Sequence, residues 1–281
     1  MTKDKLNTEV DTGAVEDRGG DVSITERAGP NARRIEKRMD GKLHCATGPA
    51  VLYDDGYEEW WLNGVRHREG GPAIIWPNGG QEWWLKGARH CQTGPAVTHA
   101  NGDQEWWMKG RLHREDGPAV IKADGTQKWY RTDLLHRVGG PAVTRPEGPE
   151  EWWENGRLHR EDGPAIIDAN GYREWCINGR RHREDGPAVM MADGSQMWWL
   201  KGRLHRVGGP AVIWANGSKL WFQSGKKHCL DAPAVIGADG TQEWWVFGRH
   251  FGSSYLSDHG RVVKKSAICT DTHSVAPGLR V

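Results

Sequence analysis

Apolar and polar positions along the chain recur with a step of 23 residues. Histidines from His44 to His228 keep the step, as do a proline column from Pro49 to Pro233, a glycine column from Gly56 to Gly240 and a tryptophan column from Trp60 to Trp244. Nine copies without an insertion are the mark of a repeat array, in which each unit packs on its neighbours. In the copy at residues 180–202, RRHREDGPAVMMADGSQMWWLKG, the dipeptides Asp193-Gly194 and Lys201-Gly202 read as tight turns. Glycine reaches positive φ without steric cost, and Asn or Asp tolerates it. Residues 196–200, between the turns, have strand length and composition. The longer run 203–214 contains Gly208-Gly209-Pro210, which must bend it or split it in two. No segment combines helical length with a 3.6-residue period. The pattern predicts an all-β fold of tandem 23-residue β-hairpin repeats, forming an elongated antiparallel array, a solenoid or ribbon, that advances about 10 Å per two-stranded repeat.

Strand alternation assigns faces. Trp198 and Leu200 fall on one side, Met197 and Trp199 on the other. The first tryptophan column and the β-branched column Val51, Ile74, Val97, Val120, Val143, Ile166, Val189, Val212 and Val235 are assigned to the buried face. The second aromatic position varies, including Cys176 and Phe222, and is expected to be at least partly open. The array occupies residues 35–250, with 35–41 as a worn N-terminal capping strand. Residues 1–34 and 251–281 lack the pattern and are expected to be disordered or irregular. Thr132-Asp133 in place of an Asn-Gly turn, and Arg145-Pro146-Glu147-Gly148-Pro149 in place of a clean strand and turn, predict a bend or loop near residues 131–149.

Composition narrows the function. The 38 basic and 37 acidic residues give a net charge of +1, which argues against nucleic-acid binding by bulk electrostatics. No apolar run is long enough to be a transmembrane helix, and the N-terminus has no signal-like apolar stretch, so a cytoplasmic location is expected. The 17 tryptophans point to a core made of a few large rings. Five cysteines without a close pair fit neither a zinc ribbon nor a disulfide framework.

The histidine column invites a metal, but equivalent positions of neighbouring repeats lie about 10 Å apart, and two ligands of one zinc ion lie within roughly 3–4 Å. No metal and no cofactor are expected; the histidines should pack on a Trp ring or hydrogen-bond a backbone turn. The His-Arg-Glu-Asp block (residues 113–116, 159–162 and 182–185) has catalytic residue types, yet an active site needs one constellation rather than a periodic series. It reads as a charge ladder, with Arg pairing Glu or Asp and Asp accepting turn N–H groups. No nucleophile-elbow, phosphate-loop or zincin motif occurs in the required context. The chain is expected not to be an enzyme.

The segments Trp61-Leu62-Asn63-Gly64, Trp153-Glu154-Asn155-Gly156 and Cys176-Ile177-Asn178-Gly179 resemble MORN-type repeats (membrane occupation and recognition nexus), in particular their bacterial, antitoxin-like variants. The resemblance covers about residues 35–250. The His-Arg-Glu-Asp-Gly-Pro-Ala block and the doubled Trp are additions to the ordinary unit. The resemblance implies hairpin repeats and a scaffolding, membrane-apposition or partner-binding role without catalysis.

The best candidate for binding is the second aromatic column, Trp61, Trp84, Trp107, Tyr130, Trp153, Trp199, Phe222 and Trp245, with Arg66, Arg89, Arg111, Arg157, Arg180 and Arg203 near it, of which Arg111, Arg157, Arg180 and Arg203 are singled out. A row of rings and guanidinium groups suits an extended partner. The expected function is non-enzymatic binding of a protein partner along this Trp/Arg face, in an inhibitor, antitoxin-like or scaffold role. A small-ligand binder clamping a nucleotide or sugar between Trp and Arg is the first alternative, with the irregular middle as its place. A metal-dependent enzyme using the His/Glu/Asp block is the second. Edge strands at the array ends allow self-association by strand addition.

Overall fold

A computed structural model describes residues 10–11, 22–28, 33–256 and 262–265. Every regular element among them is a β-strand, most of two residues. The chain divides into two compact units, residues 1–147 with 154–156 and residues 148–153 with 157–281, where the sequence reads as one uninterrupted array.

Each repeat builds two hairpins rather than one. In the second unit, Val189–Met190 pairs with Gln196–Met197 across the Asp193-Gly194 turn. Gly194 has φ 89° and donates its N–H to the Met191 carbonyl at 3.0 Å, while the Asp193 carboxylate accepts the Ser195 N–H at 2.8 Å. The second hairpin pairs Trp199–Leu200 with Arg203–Leu204. Its central residues Lys201 and Gly202 have φ of 52° and 78°. Positive φ at both is the type I′ geometry, whose twist matches that of the strands it joins. The continuous strand expected over residues 196–200 is interrupted at Trp198. Its N–H turns away to the Ala211 carbonyl at 2.7 Å, and its carbonyl accepts the His205 N–H at 3.0 Å. Gly208-Gly209-Pro210 splits the following run into Arg203–Leu204 and Val212–Ile213.

The first hairpins make the main ladder. Gln196–Met197 pairs back to Val189–Met190 and forward to Val212–Ile213 of the next repeat. The same meander of two strands per repeat runs in the first unit as far as Val143–Thr144, and in the second from Glu150–Glu151 onward. The second hairpins stack beside it. Gly202 donates to the Arg181 carbonyl at 2.9 Å, and Arg183 to the Trp199 carbonyl at 3.1 Å.

The buried core is narrower than the tryptophan count implies. It consists of alanines and β-branched residues, Ala50-Val51, Ala73-Ile74, Ala96-Val97 and their equivalents. The register places Val97 opposite Glu105 and Ile74 opposite Glu82. Directly opposed residues project to the same side of an antiparallel ladder. The Val/Ile column therefore shares its face with the residues that stand two places before the second aromatic position, not with the first tryptophan. Both aromatic columns are half-buried.

The ends and the middle also differ from expectation. Val22–Ala28 is a strand, paired along its length with Arg33–Met39, so disorder does not hold there. Arg33–Met39 also pairs with Val51–Tyr53, so strand covers 35–39 of the expected cap and Asp40-Gly41 forms a turn. At the other end Arg249–Leu256 pairs with Val262–Lys265. The rest of the expected irregular tails, residues 1–9, 12–21, 29–32, 257–261 and 266–281, lies outside the described residues. Thr132-Asp133 keeps the type I′ turn, with φ of 53° and 66°. The irregularity is confined to residues 146–148, where the regular turn is missing and one unit gives way to the other in sequence.

Candidate functional site

Three columns are occupied in joining the repeats. The first is the histidine. In each copy Nδ1 accepts the backbone N–H of the first turn residue in the next repeat's second hairpin: Lys86 to His67, Asn178 to His159 and Lys201 to His182 at 3.1 Å each, Ser224 to His205 likewise. The histidine's own N–H bonds the tryptophan carbonyl within its repeat. Each imidazole thus fixes one hairpin to the next and uses the lone pair that a metal would need. Among the described residues no group of three His, Cys, Asp or Glu side chains could hold a metal ion.

The second is the arginine after the histidine. Arg183 lies over the Trp175 ring, 4.1 Å from its centroid, donates Nη1 to the Pro187 carbonyl at 3.3 Å and Nε to Asp185 at 2.9 Å. Arg68, Arg114, Arg137, Arg160 and Arg206 cover Trp60, Trp106, Trp129, Trp152 and Trp198 in the same way. The Gly of Gly-Pro-Ala leaves room for this guanidinium. A Cβ on Gly186 would lie 2.9 Å from Arg183 Cζ, whereas one on Gly94, in a repeat with Cys91 in place of Arg, would meet nothing within 4 Å. Where Cys229 replaces the arginine, alanine, Ala232, stands in place of the glycine. The charge ladder expected here is present as the Arg114–Asp116, Arg160–Asp162 and Arg183–Asp185 pairs.

The third is the second aromatic column. Its indole N–H groups donate to the Glu two residues before: Trp61 to Glu59 at 2.6 Å, Trp84 to Glu82 at 2.7 Å, Trp107 to Glu105 at 2.9 Å, Trp153 to Glu151 at 2.8 Å and Trp245 to Glu243 at 2.7 Å. Arg66 stands between Trp61 and Trp84, 5.1 and 5.4 Å from their centroids, and Arg89 between Trp84 and Trp107 at 5.3 and 5.2 Å. Arg89 also pairs with Glu82, and Arg181 with Glu174 through two bonds of 2.9 and 3.0 Å. Arg181 also lies 5.3 Å from the Trp199 centroid. It escaped the sequence reading, although its signal, a Glu seven residues earlier as in Glu59/Arg66 and Glu82/Arg89, was present.

Where the indole is replaced, the glutamate changes too: Lys128 precedes Tyr130 and Leu220 precedes Phe222. Cys176 keeps Glu174, to which its thiol donates at 3.3 Å. Burial, reinforced by the Glu174 carboxylate, pushes that thiol up to about 12. Burial and the hydrogen bond to Glu174 likewise push Tyr172 up to about 12. Burial opposes ionisation of Glu174 itself, but Arg181 and Tyr172 outweigh it and hold the carboxyl below its ordinary range. Met197 before Trp199 is the mismatch: Trp199 Nε1 is buried without a hydrogen-bond partner.

The other expected arginines sit elsewhere, at the tips of the second hairpins. Arg157, Arg180 and Arg203 are exposed, and Lys226 continues their column. Their stems lie across the next turn: a Cβ on Gly179, Gly202 or Gly225 would be 3.6–3.7 Å from Cβ of Arg157, Arg180 or Arg203. In the first unit the column reads Lys42, Val65, Ala88, Arg111 and Leu134, and Arg111 faces Asp133 at 3.9 Å. Arg157, Ile177, Asn178, Arg180, His182 and Lys201 line an open cleft of about 390 Å³. Two further clefts recur three repeats apart. One of about 460 Å³ has Trp129, Arg114, Arg137 and Val138 in its walls; the other, of about 540 Å³, has Trp198, Arg183, Arg206 and Val207. The rings and guanidinium groups expected to act together are thus only partly joined: Arg66 and Arg89 meet the rings, as does the unforeseen Arg181, while Arg157, Arg180 and Arg203 form a separate exposed row. No helix among the described residues is long and apolar enough to cross a membrane. Comparison of the chain with protein-family models and with curated proteins returns no match.

Proposed function

We propose that this protein is a non-enzymatic repeat binder that docks a protein partner along its second hairpins, in an inhibitor, antitoxin-like or scaffold role in the cytoplasm. One contrast carries the reading. The histidine, glutamate and arginine columns with catalytic residue types are engaged in joining repeats, whereas the exposed cations at Arg157, Arg180, Arg203 and Lys226 form a periodic row on the surface. The resemblance of the repeat to MORN-type units supports the same role. Affinity capture from a cell lysate tests it, comparing wild type with an Arg157→Ser/Arg180→Ser/Arg203→Ser variant that keeps its circular dichroism. A protein enriched by wild type alone supports the reading; equal capture by both rules out this face. The clefts walled by Trp129 and Trp198 with flanking arginines favour a second reading, a small-ligand binder. Release of a nucleotide or sugar from purified protein, with no protein captured, would decide for it.

A further inference from the structure

The partner's chemistry can be read from the hairpin tips of the second unit. The second hairpins Cys176–Ile177/Arg180–Arg181, Trp199–Leu200/Arg203–Leu204 and Phe222–Gln223/Lys226–Lys227, with their turns, contain no Asp or Glu. They carry Arg180, Arg181, Lys201, Arg203, Lys226 and Lys227. Arg181 is bound to Glu174 and Lys227 to Glu243, which leaves Arg180, Lys201, Arg203 and Lys226 at the exposed surface. The near-zero net charge of the chain hides this segregation, because exposed acids such as Glu184 and Asp185 lie on the histidine loops instead.

From this row we infer a docking ladder for an extended acidic polypeptide segment with a carboxylate at about every third residue. The inference rests on reading the array as a protein binder. Its first support is spacing. The hairpins are stacked by backbone bonds from Gly202, Gly225 and Gly248 to the preceding hairpin, and two strands per repeat set like positions about 10 Å apart. An extended polypeptide advances about 3.3–3.6 Å per residue, so three residues span one step. Its second support is order. The Arg180 and Arg203 stems lie across the glycines of the next turn, which limits the freedom lost on binding. Its third is the alternation of charge with apolar surface. Arg180 pairs across the hairpin with Ile177, and Arg203 with Leu200, so aliphatic side chains separate the cations. That pattern suits carboxylates with apolar residues between them. Trp199 and Phe222 are half-buried, and Phe247, exposed at the end of the row, stacks on His228, so a nucleic acid would find no run of open rings beside these cations, and a single file of cations suits a chain better than a lipid plane.

The test is fluorescence anisotropy on the full-length protein with a labelled 13-residue peptide having Glu at every third position and Leu and Ser between. Its isomer with the same residues but contiguous glutamates, an oligodeoxythymidylate and phosphatidylserine vesicles are measured in parallel. The spaced peptide is expected to bind best and to weaken with salt. Arg180→Ser/Arg203→Ser should weaken it about fivefold, a few-fold for each exposed ion pair. Arg180→Lys/Arg203→Lys should retain most of the affinity, and Lys86→Ser, at an exposed turn of the first unit whose column also accepts Ser224, should leave it unchanged. Equal binding of both peptides, indifference to the serine substitutions, or tighter binding of the oligonucleotide or vesicles would each overturn the inference. If the peptide fails while lysate capture still depends on the arginine row, the acidic-segment inference falls and the partner-binding reading stands.

Discussion

Replacing Gly186 by Ala should expel Arg183 from the face of Trp175. The added Cβ would lie 2.9 Å from Cζ and 3.2 Å from Nε of that arginine, so the guanidinium must move. Moving it loses a ring contact at 4.1 Å, worth about 1 kcal/mol for a partly buried pair. It also loses the bond to the Pro187 carbonyl, roughly another 1–1.5 kcal/mol. Alanine restricts the unfolded chain and returns about 0.5 kcal/mol, because Gly186 does not occupy the positive-φ region. The net loss should be about 1.5–2 kcal/mol. Gly94→Ala has the opposite sign: with nothing within 4 Å of the new methyl, it should stabilise by about 0.5 kcal/mol. Because array stability is a sum of repeat and neighbour terms, the readout should be local. Hydrogen exchange across residues 183–190 should speed up by about 10- to 30-fold in Gly186→Ala if opening is local. The double variant Arg183→Ala/Gly186→Ala completes a cycle. Once the arginine is gone, alanine at 186 should, as at 94, stabilise by about 0.5 kcal/mol, giving a coupling of about 2–2.5 kcal/mol. Equal cost of Gly186→Ala with and without Arg183 would refute the argument.

Met197→Glu should supply the acceptor that Trp199 Nε1 lacks and recreate the Glu105/Trp107/Leu112 arrangement with Leu204; a gain of about 1 kcal/mol in urea unfolding is expected, less than the full worth of a charged hydrogen bond because an apolar side chain is lost, and destabilisation would contradict it. Iodoacetamide at pH 8 should modify half-exposed Cys91 in the folded protein but leave Cys176, 2% exposed and shifted up to about 12, unmodified until denaturant is added; peptide mass spectrometry separates the two. Asp103 is held down to about 2, chiefly by Lys122 at 2.8 Å and then by the Ala123 N–H, so its contribution is complete above the ordinary value of 3.8 and lost as pH falls towards 2. Asp103→Asn should therefore lower the urea midpoint at pH 7, with the difference from wild type shrinking between pH 4 and 2; a difference independent of pH would exclude this linkage.

The repeat, both turns and the split at Gly-Gly-Pro were legible in the sequence because each is a local event. Asn-Gly chemistry fixes a type I′ turn, and even Thr132-Asp133 obeys it because the neighbouring hairpins impose the geometry. The faces were not legible. Strand alternation assumes an unbroken strand, and Trp198 breaks it by bonding Ala211 outside the ladder, so counting by twos across the doubled tryptophan misassigned the buried side. The same error hid the glutamates, which as charged residues look like surface positions until Trp N–H groups and arginines are placed around them. The histidine's structural role was legible in kind but not in partner, since its acceptor contact reaches a turn 19 residues on, as in Lys201 to His182.

Periodicity also tells where binding should be sought. A column filled alike in nearly every copy must serve the one environment all copies share, the junction with the next repeat. The histidines hold turns, the first tryptophans carry arginines, and the Ala/Val pair fills the core. Substitution there should act through stability, and neighbouring columns already adjust to one another, as Ala232 does to Cys229 and Leu220 to Phe222. A ligand distinguishes one stretch of the array from another only through columns that differ along it. The hairpin-tip column is of that kind: in the first unit Val65, Ala88 and Leu134 interrupt the cations Lys42 and Arg111, whereas Arg157, Arg180, Arg203 and Lys226 run unbroken in the second. The change from an interrupted to an unbroken run of cations has no counterpart in the residues beneath, since the stems rest on the turn glycines in either unit, at Gly87 as at Gly202. Packing therefore does not require the cations. What they select must lie outside the array, and a partner that reads them should occupy the second unit and leave the first free.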